Sequence, residues 1–86
     1  MKKIYKYTLQ IVDEQTIELP DGAEILSFQN QNGELVFWAE VPVTPLKESW
    51  NFLIVGTGHE VPLKSNTQVY LDTVQIGGLV WHIYGY

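Results

Sequence analysis

The sequence predicts an all-β fold: a single small domain of about seven short, mainly antiparallel strands, built as a sandwich or a small barrel. Three observations lead there. Apolar and polar residues alternate with period two along most of the chain. No stretch carries the wider-spaced apolar stripe of a helix. Turn formers recur at regular intervals, at Pro20-Asp21-Gly22, Asn32-Gly33, Gly56-Thr57-Gly58-His59 and Gly77-Gly78.

The elements follow in order. Over residues 3–11, Tyr5, Tyr7, Leu9 and Ile11 point one way while Lys6, Thr8 and Gln10 point the other. Asp13-Glu14 interrupts, and Thr16–Leu19 makes a short second strand closed by the Pro20-Asp21-Gly22 turn. Residues 24–30 form a third strand and Leu35–Val41 a fourth, joined by Asn32-Gly33, the dipeptide best suited to a two-residue hairpin. Pro42 and Pro45 bracket a loop at 42–48, where ladder pairing pauses for want of N–H donors. Trp50–Val55 becomes apolar on both faces toward its end, which predicts a central strand. Residues 60–67, with Pro62, Ser65 and Asn66, read as surface loop; Val69–Gln75 and Leu79–Tyr84 pair around Gly77-Gly78.

Eighty-six residues make one domain, 1–86, with no linker, repeat or low-complexity tract. A chain of this length buries only roughly 60% of its unfolded surface, so its core is thin. Three Trp, five Tyr and three Phe are more rings than so small a core centres, and those left at the surface predict ligand or subunit contacts, hence a homo-oligomer. Cysteine is absent, which excludes disulfides and thiolate metal sites. No run approaches the ~20 apolar residues of a membrane span. The basic opening alternates instead of leading into a signal-peptide core, so the chain is expected to be intracellular.

Ten acidic residues against five bases give a net charge of −5, and every base is lysine. That balance excludes generic binding to a nucleic-acid polymer, which needs a positive face. Lys2, Lys3 and Lys6 read as a solvated strand edge that discourages sticking.

Gly56-Thr57-Gly58-His59 follows an apolar strand, where ligands often sit. A phosphate loop needs GxxxxGK[ST] and a dinucleotide fingerprint needs GxGxxG opening a helix; Val61-Pro62 breaks both, and no cofactor is expected. One reading is a plain turn, with Gly56 and Gly58 at φ > 0. The other adds a pocket lined by Thr57, Gly58 and His59, with freed backbone N–H groups meeting an oxygen-rich ligand. His59 and His82 lack metal-ligand spacing, and Asp72 does not complete a set, so no metal is expected. Neither histidine sits in a His-x-Ser/Thr repeat, and Ser27, Ser49 and Ser65 lie outside any Gly-x-Ser-x-Gly elbow. No catalytic residue is assigned; the chain does not read as an enzyme. Trp81 and Ile83 share one face of the last strand, with Val80, His82 and Tyr84 on the other; Trp38 and Glu40 lie opposite Phe37 and Ala39. The predicted binding set is therefore Thr57, Gly58 and His59 with His82, and Trp38 or Trp81 as a stacking floor.

The stretches MKKIYKYTLQI, FWAEV, FLIVGTGHEVP and YLDTVQIGGLVWHIY resemble a family of small phage-encoded proteins of unknown function, over nearly the whole chain. The resemblance brings no catalytic residues. It implies a phage accessory protein working in the bacterial cytoplasm, in the manner of phage anti-defence sponges that sequester a nucleotide immune signal without destroying it. The small size, aromatic content and missing catalytic constellation fit such a sponge; the lack of arginine does not favour phosphate binding. The alternatives are a module that inhibits a host or phage protein through an aromatic patch, and a structural virion accessory.

Overall fold

The computed structural model describes residues 1–86. Its strands are β1 (Lys2–Leu9), β2 (Glu14–Pro20), β3 (Glu24–Gln31), β4 (Glu34–Pro42), β5 (Lys47–Gly56), β6 (Val69–Ile76) and β7 (Leu79–Gly85). They form two sheets, β1-β4-β3 and β2-β5-β7-β6, in which every neighbouring pair is antiparallel. The fold is a sandwich and not a closed barrel. No helix is present that is long and apolar enough to cross a membrane.

Several boundaries differ from the sequence reading: β2 spans Glu14–Pro20, longer at both ends than the expected Thr16–Leu19, and two others have clear causes. β1 stops at Leu9, because the Gln15 side chain takes both backbone groups of Gln10. The Gln10 N–H donates to Gln15 Oε1 at 3.0 Å, and Gln15 Nε2 donates to the Gln10 carbonyl at 2.7 Å. The chain bends there and leaves Ile11 and Val12 exposed. The predicted loop at 42–48 shrinks to residues 43–46, since Pro42 still sits opposite Lys2 at the end of a ladder and β5 already begins at Lys47. The β3–β4 hairpin turns as expected. Asn32 (φ 53°) and Gly33 (φ 87°) both adopt left-handed backbone, and Asn30 Oδ1 accepts the Gly33 N–H at 2.8 Å.

Alternation decides which side chains meet between the sheets. Leu35, Phe37, Ala39 and Val41 of β4 belong to one core cluster with Phe52 and Ile54 of β5, Val74 of β6 and Ile83 of β7. Phe37, fully buried, has ring centroids of Tyr7, Phe28 and Phe52 at 5.1, 5.2 and 5.4 Å. Burial of such a ring stabilises by roughly 2–3 kcal/mol, so this cluster carries much of a thin core. Trp50 and Trp81 pack against it from the rim.

The two sides of the sandwich differ. On one side β3 meets β6: the Phe28 N–H donates to Asp72 Oδ2 at 3.1 Å and Asn30 Nδ2 to the Gln75 carbonyl at 3.2 Å. On the other side β1 and β2 are edge strands, each with one ladder neighbour.

β5 and β6 both run antiparallel to β7, hence parallel to each other, and parallel strands need a crossover. Residues 57–68 supply it, crossing the outer face of the four-stranded sheet. Lys64 Nζ reaches Glu14 Oε1 at 2.7 Å on the start of β2. Gln68 ties the crossover internally, its Nε2 donating to the Pro62 carbonyl at 3.0 Å and its Oε1 accepting the Lys64 N–H at 2.8 Å. Leu53 and Val55, on that outer face, are buried in consequence. This is why β5 is apolar on both faces.

Candidate functional site

β5 outruns its partner. β2 begins opposite Leu53, and beyond it only the Ile54 N–H bonds back, to the Asp13 carbonyl at 3.0 Å. The end of β5, the crossover and β7 together enclose a cleft of about 530 Å³, walled by Asp13, Glu14, His59, Glu60, Lys64 and Trp81. A second cleft of about 330 Å³ opens on the other side of the same two rings, bounded by Thr57, His59, Gly78, Leu79 and Trp81. His59 and Trp81 thus form a wall common to both.

Gly56 makes that wall possible. Its φ is not positive, contrary to the sequence expectation; only Gly58 (φ 90°) turns the chain that way. A Cβ at Gly56 would sit 3.3 Å from Trp81 Cζ3 and 3.4 Å from His59 Cδ2. The residue is glycine because the indole and the imidazole both lie against it. The turn also consumes donors: the Thr57 N–H donates to the Val80 carbonyl at 3.2 Å and the His59 N–H to the Gly56 carbonyl at 3.1 Å. The expected cradle of free N–H groups is therefore largely spent within the protein.

The two clefts differ in charge. The larger has Asp13, Glu14 and Glu60 against a single ammonium, Lys64, already bound to Glu14. The hydrogen bond from Lys64 holds the Glu14 carboxyl below its usual range, and the same contact raises the Lys64 ammonium. Tyr86 O–H also donates to Glu14 Oε1 at 3.2 Å; desolvation, then the Glu14 charge, raises its phenol. The smaller cleft has no carboxylate on its walls.

Beside it, on the outer face of the sheet, runs a relay of four side chains. Thr57 Oγ1 and His82 Nε2 are hydrogen-bonded at 2.8 Å, His82 Nδ1 and Thr73 Oγ1 at 3.0 Å, and Thr73 Oγ1 bonds the Tyr70 hydroxyl. A neutral imidazole donates from one nitrogen and accepts at the other, so the two threonines take opposite roles. The relay pins the turn to β7. Its geometry resembles a nucleophile against a base, but the group behind His82 is a hydroxyl and not a carboxylate, so no anion stabilises an imidazolium there. No three His, Asp or Glu side chains converge as metal ligands.

Of the residues predicted from sequence, the structure brings Thr57, Gly58, His59, Trp81 and His82 together at this head of the sandwich. Trp38 is not among them. It lies on the outer face of the other sheet, between Lys6 and Ser27, because β4 pairs with β1 and β3. Trp81 is the floor, with Trp38 on a separate surface. Sequence reasoning missed Thr73, Tyr70, Glu14 and Lys64. Thr73 was within reach: counting back from the Gly77-Gly78 turn places it opposite His82.

The full chain, residues 1–86, matches the domain of unknown function DUF7352. The chain belongs to this family. The DUF7352 description assigns no activity, and no curated protein and no solved structure matches the chain. The roles of the residues at the head of the sandwich therefore follow from their geometry.

Proposed function

We propose that this protein is a non-catalytic accessory binding protein that holds a small flat ligand between the clefts at the head of the sandwich. The observation that carries the reading is the wall formed by Trp81 and His59 over Gly56, with the carboxylate-free cleft of about 330 Å³ beside it. That volume lies at the lower end of small-molecule sites. An indole face binds a planar ring by stacking, and Thr57 and His59 at the rim offer hydrogen-bonding groups. The carboxylates of the larger cleft repel phosphate, so a nucleotide-derived ligand enters base first with its phosphates toward solvent. The sequence resemblance to small phage proteins supports the specific form: sequestration of a nucleotide immune signal in the cytoplasm of an infected bacterium. The threonine behind His82 supports holding over turnover.

The test is a thermal-shift screen with adenosine, AMP, ADP-ribose and cyclic dinucleotides, followed by mass spectrometry of the recovered ligand. A ligand at 100-fold its Kd stabilises by about 2.7 kcal/mol, an unmistakable shift for a domain of this size. The expected result is a shift with at least one base-containing compound, recovered unchanged, and lost in His59→Ala. Cleaved product overturns the non-catalytic reading, and no shift at millimolar concentration overturns the ligand class.

A second reading has its own observation. On the outer face of the three-stranded sheet, Trp38 is flanked by Ile4 (57% exposed) on β1 and by the bulge residue Leu26 (49% exposed) on β3. An aromatic flanked by exposed aliphatics suits a protein partner. Pull-down from host lysate with wild type and Trp38→Ser separates the two: loss of a captured protein with ligand shifts intact favours the interaction module.

A further inference from the structure

The two free edges carry opposite charge. β1 holds Lys2, Lys3 and Lys6 and no acid; β2 holds Glu14 and Glu18 and no base, with Asp13 and Asp21 just outside its ends. Three of the five lysines of an acidic chain stand on one edge strand, beside an edge that holds only carboxylates. The opposite side of the sandwich is tied by side-chain bonds between β3 and β6, whereas between β1 and β2 only the Gln10–Gln15 contact at their junction is made. The unpaired ladders are 8 and 7 residues long, well-matched lengths for pairing with each other.

We infer that two copies of this chain pair edge to edge, β1 of each against β2 of the other, to form a closed two-fold dimer. The symmetry permits it. A two-fold axis running parallel to the strands, between the sheets, carries the three-stranded sheet of one copy into line with the four-stranded sheet of the other. β1 and β2 are joined by a short bend and run in opposite senses, so each seam is antiparallel. The result is two continuous seven-stranded sheets, with no edge left on that side. Charge selects this pairing over its rivals. β1 against β1 sets lysines against lysines, and β2 against β2 sets glutamates against glutamates; only the crossed seam is attractive.

The facing positions also agree. Lys2 and Lys6 lie on the outer face of their sheet, since their neighbours Trp38 and Pro42 alternate with the core residues of β4. Glu14 and Glu18 lie on the outer face of theirs, alternating with Ile17 and Leu19. A two-fold parallel to the strands leaves each residue at its own height along the axis, and Gly22 lies against Pro42, the ladder partner of Lys2, so the antiparallel seam sets Lys6 opposite Glu18. The lysine edge that deters indiscriminate pairing is here half of a specific seam. Strands of about 27 Å and a body 16 Å thick give a contact face on the order of 400 Å² per copy, in the class of transient interfaces. The dimer is therefore expected in the micromolar range and weaker at high salt.

The test is charge exchange. Sedimentation velocity on wild type from low to several hundred micromolar should show a monomer–dimer equilibrium that salt weakens. K6E and E18K, each alone, should raise the dissociation constant at least tenfold, with melting temperatures at low concentration near wild type. Mixing the two variants, or joining both changes in one chain, should restore the dimer, because positions 6 and 18 again carry opposite charges across each seam. E18K is chosen because Glu14 also holds Lys64, and Glu18 has no such duty. A wild type that stays monomeric throughout overturns the inference. So do single variants that dimerise like wild type, or well-folded variants whose mixture does not associate.

Discussion

Gly56 and Gly58, two residues apart in one turn, are glycine for different reasons, and substitution separates them. At Gly56 the backbone is ordinary for any residue, so alanine gains roughly 0.5–1 kcal/mol from the lost flexibility of glycine. Against that gain stands crowding, with the new methyl 3.3 Å from Trp81 and 3.4 Å from His59, a few tenths of an ångström inside comfortable contact. His59 is exposed and swings away at little cost. Trp81 rests on the core, and its displacement costs about 1 kcal/mol, the low end of overpacking. Gly56→Ala should therefore fall within about 1 kcal/mol of wild type. Gly56→Val forces two more methyls into the same space and should lose about 2 kcal/mol or more.

At Gly58 the balance reverses. Nothing lies within 4 Å of its Cβ position, but φ is +90°. Alanine there meets no neighbour and still loses about 1–2 kcal/mol to backbone strain, while asparagine, more tolerant of this region, loses less. Urea unfolding followed by tryptophan fluorescence reads these differences directly, and each kcal/mol corresponds to about 4–8 °C in melting temperature for a domain of this size. The expected order of stability is Gly56→Ala above Gly58→Asn, then Gly58→Ala, with Gly56→Val lowest or equal to it. Refutation comes from either side: Gly58→Ala at wild-type stability, or Gly56→Val as mild as Gly56→Ala.

Two further outcomes follow from the fold. Gly33→Val places a β-branched residue at φ 87° and turns the N–H away from Asn30, so it should cost on the order of 2 kcal/mol in thermal unfolding, with Asn30→Ala adding little on top because both changes break one turn. The Glu14–Lys64 contact predicts pH dependence on two flanks. Glu14 is depressed, so its contribution is present above the ordinary carboxylate range and lost as pH falls through the lowered value; Lys64 is raised, so its contribution is present below the ordinary ammonium range and lost as pH rises through the raised value. Protection of residues 60–68 against hydrogen exchange, taken relative to the intrinsic rate at each pH, should fall at both extremes, and Glu14→Gln should flatten the acid limb.

What the sequence disclosed and what it withheld divide by range. Alternation alone placed Trp81 with Ile83, and Trp38 opposite Phe37, because side-chain facing depends on neighbours one and two residues away. A two-residue turn extends that reach across a hairpin, which is why Asn32-Gly33 and the facing of Thr73 and His82 were legible. Beyond the hairpins the information stops. Nothing local states that β1 pairs with β4 and β2 with β5, so the assignment of Trp38 to a different sheet from Trp81 had no trace in the pattern. Glu14 and Lys64 are 50 positions apart, and their contact exists only because the crossover spans the sheet. The same long-range step explains the misread glycine. Gly56 looks like a turn residue in its own segment, and its real constraint is an indole 25 residues later on β7. The candidate site is thus assembled from one legible turn and several partners that only the sandwich brings to it. Its binding surface, His59 against Trp81 over Gly56, is a tertiary feature, so the decisive perturbation there is Gly56→Val, whose further methyls enter the space the two rings fill.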